Sequence, residues 1–244
     1  KMNDPDVWAN LGDAYKKLIQ GGPAQTAYET ALSLSPNYAR APYRIGKIYQ
    51  TQGATQKEIY LRYFDEAIAK DPAYAPVYEN LYQYYYDNDV NKSAEYLEKY
   101  LANTDQDPRK DCYYRTSMTY ARGLFQEAVN TGMGCVSSAG GEGPEPNIYA
   151  IVAYAYDKLG DSVNAKKYFE TYFQKQNPEK IEANPNIVYA KVLLKFPDST
   201  NATDSVAAIY IEKALALDST EKGKTDLLKS VATQKEKKKK FLKA

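Results

Sequence analysis

The chain has 244 residues, with 32 lysines and arginines against 31 aspartates and glutamates, so its formal net charge is +1. Proteins that bind nucleic acid through its phosphates carry a clear basic excess, and this balance therefore excludes nucleic acid as the expected partner. With no histidine and only two cysteines, the chain lacks the residues for most zinc sites and for catalytic triads, so we expect no enzyme, no cofactor and no metal. No apolar run approaches the ~20 residues of a membrane-spanning helix.

Two helices followed by a proline are predicted at the start of the chain. The first shows the i, i+3, i+4, i+7 spacing that places side chains on one helix face; its residues are Trp8, Leu11, Gly12 and Tyr15. The same spacing relates three residues of the second helix, Ala24, Tyr28 and Ala31. Pro36 cannot continue that helix and ends the unit.

These eight residues resemble the tetratricopeptide repeat, which reads W-x2-L-G-x2-Y, then a small residue, an aromatic residue, alanine and proline. Gly12 and Ala24 lack bulk where the two antiparallel helices of such a repeat approach closely. The resemblance implies an all-α fold: a right-handed αα superhelix, or solenoid, of about six helix pairs closed by a C-terminal capping helix.

Further units follow in chain order with decreasing regularity. The second unit contains Gly46 and Phe64 and ends at Pro72, and we expect its second helix to be about two residues longer than in the consensus. The first helix of the fourth unit, around residues 110–120, lacks an apolar stripe. The expected repeats are residues 5–38, 39–74, 75–108, 109–140, 146–179 and 182–219, with a capping helix at 220–242. Together they make one expected solenoid domain, residues 1–244.

The first helix of the predicted stack would leave an apolar face without a packing partner. The chain opens Lys1-Met2-Asn3, which resembles neither a signal peptide nor a natural start, and Trp8 has no helix before it. One repeat cannot bury its own apolar face. We therefore expect a fragment of a longer protein, in which further N-terminal repeats or self-association with a partner subunit cover this end.

An acidic stretch has the spacing of a calcium loop; its oxygen-bearing residues are Asp87, Asp89, Asn91, Ser93, Glu95 and Glu98. Lys92 occupies the sixth position, where such a loop needs glycine. The same residues fit a turn between helices in which Asp89 or Asn91 caps the next helix. We expect the cap and no metal.

The two cysteines are expected to lie side by side. Cys112 is early in the first helix of the fourth unit and Cys135 is late in its second. The sequence leaves open whether they form a disulfide or remain two buried thiols, and we take the reduced pair as the default.

The resemblance also implies a binding surface, because the first helix of each pair lines the concave side of such solenoids. The residues expected there, in a groove that binds a protein or peptide segment, are Asn10, Asp13, Arg40, Tyr43, Arg44, Lys47, Asn80, Gln83, Tyr86, Tyr113, Tyr114, Ser117 and Tyr154. Arg40, Arg44 and Lys47 form a basic cluster suited to a carboxylate. Tyrosines give large contact areas, although they also fit as packing between helices.

These patterns predict a non-enzymatic scaffold that binds protein or peptide segments through the groove. The alternative is a structural arm of a larger envelope assembly that associates end to end. The richness in tyrosine and asparagine resembles repeat proteins of the bacterial cell envelope, so we expect a periplasmic or envelope location, with cytoplasm as the alternative.

Overall fold

The computed structural model describes residues 3–105, 107–140, 143–196 and 202–217, with the backbone alone at 202–204. The chain divides into two compact units, Lys1–Asp105 and Gln106–Ala244. All regular structure in the described residues is helical, which confirms the all-α prediction. It comprises twelve α-helices in six pairs and two short turns of 3-10 helix, Ala54–Gln56 and Pro178–Lys180. The predicted capping helix, residues 220–242, lies outside the described residues.

The helices of each pair pack along their length, and in the first five pairs they are joined by a short turn. Unit 1 contains α1 (Pro5–Lys17) and α2 (Gly21–Leu34), α3 (Arg40–Thr51) and α4 (Lys57–Lys70), and α5 (Ala75–Tyr86) and α6 (Val90–Ala102). Unit 2 contains α7 (Pro108–Ala121) and α8 (Phe125–Ser138), α9 (Asn147–Lys158) and α10 (Ser162–Lys175), and α11 (Ala183–Leu193) and α12 (Ala202–Leu217). Each of the two units is thus a stack of three tetratricopeptide-like helix pairs.

Local sequence explains where the helices begin. The Asp4 carboxylate accepts a hydrogen bond from the Asp6 amide at 2.9 Å, and Pro5 occupies the first turn of α1, where its missing N–H costs nothing. Asp89 caps α6 by accepting from the Lys92 amide at 3.1 Å. This contact confirms the helix-cap interpretation of the acidic stretch. Among the residues that the structure describes, no group of three or more metal-ligating side chains is placed to hold an ion.

The core of unit 1 depends on two close approaches between paired helices. A methyl group at Gly12 would lie 2.5 Å from the Tyr28 ring, and one at Gly46 would lie 2.6 Å from the Phe64 ring. Tyr28 and Phe64 are both fully buried. The two aromatic rings therefore fill the space that the glycines leave, as the spacing of the repeat predicts.

The second predicted repeat, residues 39–74, departs from expectation at one point. Helix α4 has 14 residues, as α2 does, so the prediction of a longer second helix is wrong. The extra residues form a separate turn of 3-10 helix, Ala54–Gln56, in front of α4. Gly53 enters this turn at a φ of 102°, a conformation that favours glycine.

Helix α7 buries two threonines and only one apolar side chain, that of Met118, in agreement with its weak apolar pattern. Thr116 and Thr119 are buried, and their hydroxyls donate to the carbonyls of Cys112 and Arg115, each at 2.8 Å. A disulfide between Cys112 and Cys135 joins the start of α7 to the end of α8. The side-by-side placement is confirmed, and the default of two reduced thiols is wrong.

Helix α9 is the most buried element of unit 2. Seven of its residues, Ile148, Tyr149, Ala150, Ile151, Val152, Ala153 and Ala155, are buried. It packs against both α8 and α10.

Across the part of the chain that the structure describes, none of the helices is long and apolar enough to cross a membrane.

Candidate functional site

The first helices of neighbouring pairs contact one another within each unit. Helix α1 contacts α3, and α9 contacts both α7 and α11. We call the solvent-facing side of α1, α3 and α5 the first-helix wall of unit 1. The corresponding side of α7, α9 and α11 is the first-helix wall of unit 2. All the predicted groove residues belong to these helices.

A carboxylate on α1 organises the wall of unit 1. Asp13 accepts hydrogen bonds from Arg40 Nη2 at 2.6 Å and from the Tyr28 hydroxyl at 2.6 Å. Arg40 Nη2 also donates to Asn10 Oδ1 at 2.7 Å. Partial burial opposes ionisation of Asp13, but the bonds from Tyr28 and Arg40 and the charge of Arg44 prevail and lower its pKa below 3.8. These hydrogen bonds therefore join the side chains of Asn10, Asp13 and Arg40 to one another within unit 1.

Arg44 is less completely satisfied than Arg40. Its Nε lies 3.2 Å from Asp13 Oδ1, yet the N–H does not point at that oxygen. The Nε atom is buried and has no hydrogen-bond partner in the part of the chain that the structure describes. The guanidinium carbon lies 5.8 Å from the centre of the Tyr43 ring, and 34% of the side chain is exposed. Arg44 thus presents a guanidinium to solvent at the wall.

Two lysines complete a cluster of positive charge around Arg44. Burial lowers the pKa of Lys16, and the nearby guanidinium of Arg44 lowers it further. Burial also lowers the pKa of Lys47, with additional repulsion from Lys16 and Arg44 and a smaller opposing attraction to Glu79. Lys16 is not among the groove residues predicted from the sequence, although it stands three residues after Asp13 and therefore shares its helix face.

An amide network connects this cluster to α5. Lys47 Nζ donates to Gln50 Oε1 at 2.7 Å, and Asn80 Nδ2 donates to the same oxygen at 3.2 Å. Asn80 is only 8% exposed, and its Oδ1 has no hydrogen-bond partner among the described residues. The amide of Asn80 is therefore held in place, whereas Gln83 and Tyr86 are exposed on the same helix. Gln50 is a second residue that the sequence analysis missed.

Tyr43 packs within the unit. Its ring centre lies 5.8 Å from that of Phe64 and 5.6 Å from that of Tyr74. Burial raises the pKa of Tyr43. Tyr43 therefore packs between helices, which is the alternative that the sequence left open for the tyrosines. Tyr86, by contrast, is 43% exposed.

The wall of unit 2 contains a cavity of about 200 Å³. Two predicted groove residues, Tyr113 and Tyr154, line it together with Asn147, Tyr172, Glu182 and Asn184. Tyr172 and Glu182 are not among the residues predicted from the sequence, because Tyr172 lies on the second helix α10 and Glu182 immediately precedes α11. Tyr114 and Ser117 do not line this cavity; the Tyr114 ring lies 5.7 Å from that of Tyr113.

Hydrogen bonds fix the amides at the cavity. Asn147 Oδ1 accepts from Nε2 of the buried Gln176 at 2.9 Å. Asn184 Nδ2 donates to the Tyr154 hydroxyl oxygen at 3.3 Å. Burial is the largest of the causes that raise the pKa of Tyr154, and the Glu182 carboxylate contributes to the rise.

Comparison with known proteins matches the helix pairs to a family. The sequence pattern of the tetratricopeptide repeat matches residues 5–38 and 146–174, one pair in each unit. Two of the six helix pairs are therefore tetratricopeptide repeats. Tetratricopeptide repeats form scaffolds for protein interaction, and one relative in structure, YrrB, is described as having an unusual peptide-binding site.

Solved tetratricopeptide structures share the fold at low sequence identity. PilF of Pseudomonas aeruginosa is 15% identical with a TM-score of 0.60, over 92% of this chain and 96% of its own. PilW, described as a type IV pilus biogenesis factor, is 18% identical with a TM-score of 0.62, over 92% and 98%. YrrB is 14% identical with a TM-score of 0.53, over 71% and 87%. No curated protein matches the sequence.

Proposed function

We propose that this protein is a non-enzymatic scaffold whose first-helix walls bind extended segments of other proteins. The observation that carries the proposal is the cluster of Lys16, Arg44 and Lys47 on the wall of unit 1. These three cations are partly buried and repel one another. Asp13 attracts Lys16 and lies 3.2 Å from Arg44, but this single carboxylate is shared with Arg40 and Tyr28, which both bind it. A carboxylate from a partner would relieve this repulsion.

The expected partner of the unit 1 wall is therefore an acidic peptide segment. Carboxylates pair well with guanidinium and ammonium groups that are already partly dehydrated. The exposed ring of Tyr86 adds apolar contact area at little cost in side-chain entropy. Arg40 contributes by holding Asp13 and Asn10 rather than by direct contact.

The test uses arrayed 12-residue peptides that differ only in carrying glutamate, glutamine or lysine at alternate positions. The protein is expected to bind the glutamate series best, because the wall is positive. The double variant Arg44→Ala and Tyr86→Ala should lose at least about tenfold in affinity, the effect of losing one anchor or more.

A matched control tests whether the loss belongs to this wall. Arg62 and Tyr63 are likewise an arginine and a tyrosine, but they lie on the second helix α4. The variant Arg62→Ala and Tyr63→Ala should keep the affinity for the glutamate series. Equal losses in both variants, or undiminished binding by the first, would remove the unit 1 wall as the site.

We further propose a periplasmic or envelope location. Disulfides such as Cys112–Cys135 persist in oxidising compartments and are rare in the cytosol. The likeness to PilF and PilW agrees with this location. A thiol-reactive polyethylene glycol maleimide, added to native cells that are lysed in acid, should leave both cysteines unlabelled. Labelling without prior reduction would favour the cytoplasm.

A structural role in end-to-end association is the second candidate, favoured by an apolar stripe on α1 and the turn after it. Val7, Leu11 and Leu18 follow helical spacing on one face, and all three are exposed, as is Ile19. We propose a second copy of the chain as its occupant. Sedimentation velocity should show concentration-dependent association that Leu11→Glu with Leu18→Glu abolishes and that Arg44→Ala with Tyr86→Ala leaves intact. A monomer at every concentration would contradict this role.

A further inference from the structure

The cavity in the wall of unit 2 differs in chemistry from the cationic wall of unit 1. Three tyrosines line it, Tyr113, Tyr154 and Tyr172, and Glu182 stands among them. Burial raises the pKa of the Tyr172 phenol most, and the charges of Glu182 and Tyr113 add to the rise. Rings, phenol oxygens and a carboxylate thus converge on one small volume.

This combination attracts positive charge. Aromatic rings attract cations through their π faces, most strongly where water is excluded. Phenol and amide oxygens accept hydrogen bonds from an ammonium or guanidinium group. Asn184 also lines the cavity, and its Nδ2 donates to the Tyr154 hydroxyl oxygen. A carboxylate at the same site neutralises the charge that enters.

The volume suits a single side chain. A cavity of about 150 Å³ holds one benzene molecule, and this one measures about 200 Å³. It therefore has room for the end of a lysine or arginine side chain but not for several residues.

We propose that the cavity binds one lysine or arginine side chain of a peptide that lies along the first-helix wall of unit 2. The proposal rests on the proposed peptide-binding function and adds the class of residue that is recognised. The amides of Asn147 and Asn184, held by Gln176 and Tyr154, border the site and bind the neighbouring peptide groups.

One cation already borders the cavity and provides a discriminating test. Lys180 lines it two residues before Glu182, and its side chain is exposed. An incoming cation competes with Lys180 for the field of the carboxylate. Removing the Lys180 charge should therefore strengthen binding of a cation, whereas it would weaken binding of an anion.

The experiment measures binding of four small probes to the full chain by NMR of the Asn147 and Asn184 side-chain amides. The probes are the Nα-acetyl methylamides of lysine, arginine, norleucine and glutamate. The lysine and arginine probes should shift these signals. Glu182→Gln should weaken their binding about tenfold, and Lys180→Met should tighten it about threefold. Glu179→Gln, which changes an exposed carboxylate outside the cavity lining, should have no effect.

The outcomes separate this inference from the proposed function. Binding of the glutamate probe with loss in Lys180→Met would overturn the cation site, as would equal binding of the norleucine probe or no binding of any probe. Loss of peptide binding by Arg44→Ala with Tyr86→Ala is measured independently on unit 1. The cation site can therefore fail while the scaffold function stands, and the reverse also holds.

Discussion

Asp13 determines how much positive charge the wall of unit 1 offers to a partner. It binds Arg40 and Tyr28 directly and lies 3.2 Å from Arg44. The sequence predicts a basic cluster of Arg40, Arg44 and Lys47. It does not show that Asp13, one turn before the end of α1, binds Arg40 and so removes it from the charge available to a partner. That pairing depends on the packing of α1 against α3.

The first prediction concerns the dependence of stability on pH. The pKa of Asp13 in the folded chain is below its usual value of 3.8, because the bonds from Tyr28 and Arg40 outweigh burial. A carboxyl group with a lowered pKa stabilises the fold above its unfolded pKa, and this contribution is lost as pH falls through the folded value. Asp13→Asn should therefore lower the free energy of unfolding by about 2 kcal/mol at pH 7. The difference should shrink below about pH 4.

Urea unfolding at a series of pH values, followed by circular dichroism, checks this prediction. Asp65→Asn is the control, because Asp65 is exposed on α4. The control should follow the wild type at every pH. A difference between Asp13→Asn and the wild type that stays constant from pH 7 to pH 3 would contradict the assignment to ionised Asp13.

The second prediction concerns the close approach at Gly46. An alanine there would bring Cβ to 2.6 Å from Phe64 and 3.2 Å from the Tyr60 carbonyl oxygen, which is backbone. Overpacking of this kind costs about 1–3 kcal/mol, more than the gain of up to about 1 kcal/mol from helix propensity. Gly46→Ala should lower the urea midpoint.

Gly134 provides the matched control on α8. It lies within a helix, and an added Cβ would meet nothing within 4 Å. Gly134→Ala should therefore raise the free energy of unfolding by about 0.5–1 kcal/mol and raise the urea midpoint with it. If both alanines raise it, the close approach at Gly46 is relieved more easily than the packing indicates.

At the scale of the elements, α7 and α8 form the pair that depends least on an apolar stripe. The hydroxyls of the buried threonines of α7 donate to backbone carbonyls of the same helix, so they add little to the packing between helices. The Cys112–Cys135 disulfide joins the pair across 23 positions of the chain. It supplies the stabilisation that the apolar pattern of the other pairs provides.

The third prediction follows from this compensation. Cys112→Ser with Cys135→Ser should lower the stability of unit 2 by about 3 kcal/mol, the value for a loop of this length. Urea unfolding of the oxidised wild type and the variant measures the difference. Intact mass with and without reductant supplies the control, since the wild type should gain two hydrogens on reduction. A wild type without that gain would contradict the disulfide.

Element boundaries are predictable here to the extent that the consensus covers them. Pro36 and Pro72 follow the ends of α2 and α4 closely, because beyond the first turn of a helix a proline cannot donate the backbone hydrogen bond and it disfavours helical geometry in the residue before it. The 3-10 turn Ala54–Gln56 was not predictable, since the spacing alone does not distinguish a longer helix from an inserted turn. The state of the two cysteines was open for a similar reason: proximity was predictable, but bond formation depends on redox conditions as well.

At the scale of the whole molecule, the repeat pattern predicts the fold better than it predicts the sites. The predicted groove residues lie on the first helices, yet Arg40 and Tyr43 are used in packing and pairing inside unit 1. The cavity of unit 2 needs Tyr172 and Glu182, which lie outside the first helices. Position in a repeat identifies the helix face, whereas the chemistry of a site depends on neighbours that only the packed pairs bring together.

The last prediction tests how far a local change travels through the stack. In repeat proteins each pair draws its stability from its own packing and from its nearest neighbours. Gly46→Ala should therefore increase amide hydrogen exchange in α3 and α4, less in α1, α2 and α5, and not in α9 or α10. The serine pair at Cys112 and Cys135 should increase exchange in α7 and α8 and leave α1–α4 unchanged. Hydrogen exchange with mass spectrometry reads both patterns from one set of peptides. An equal increase along the whole chain would mean that the expected domain, residues 1–244, unfolds as one cooperative body. Graded local increases would mean that each helix pair depends chiefly on the pairs beside it.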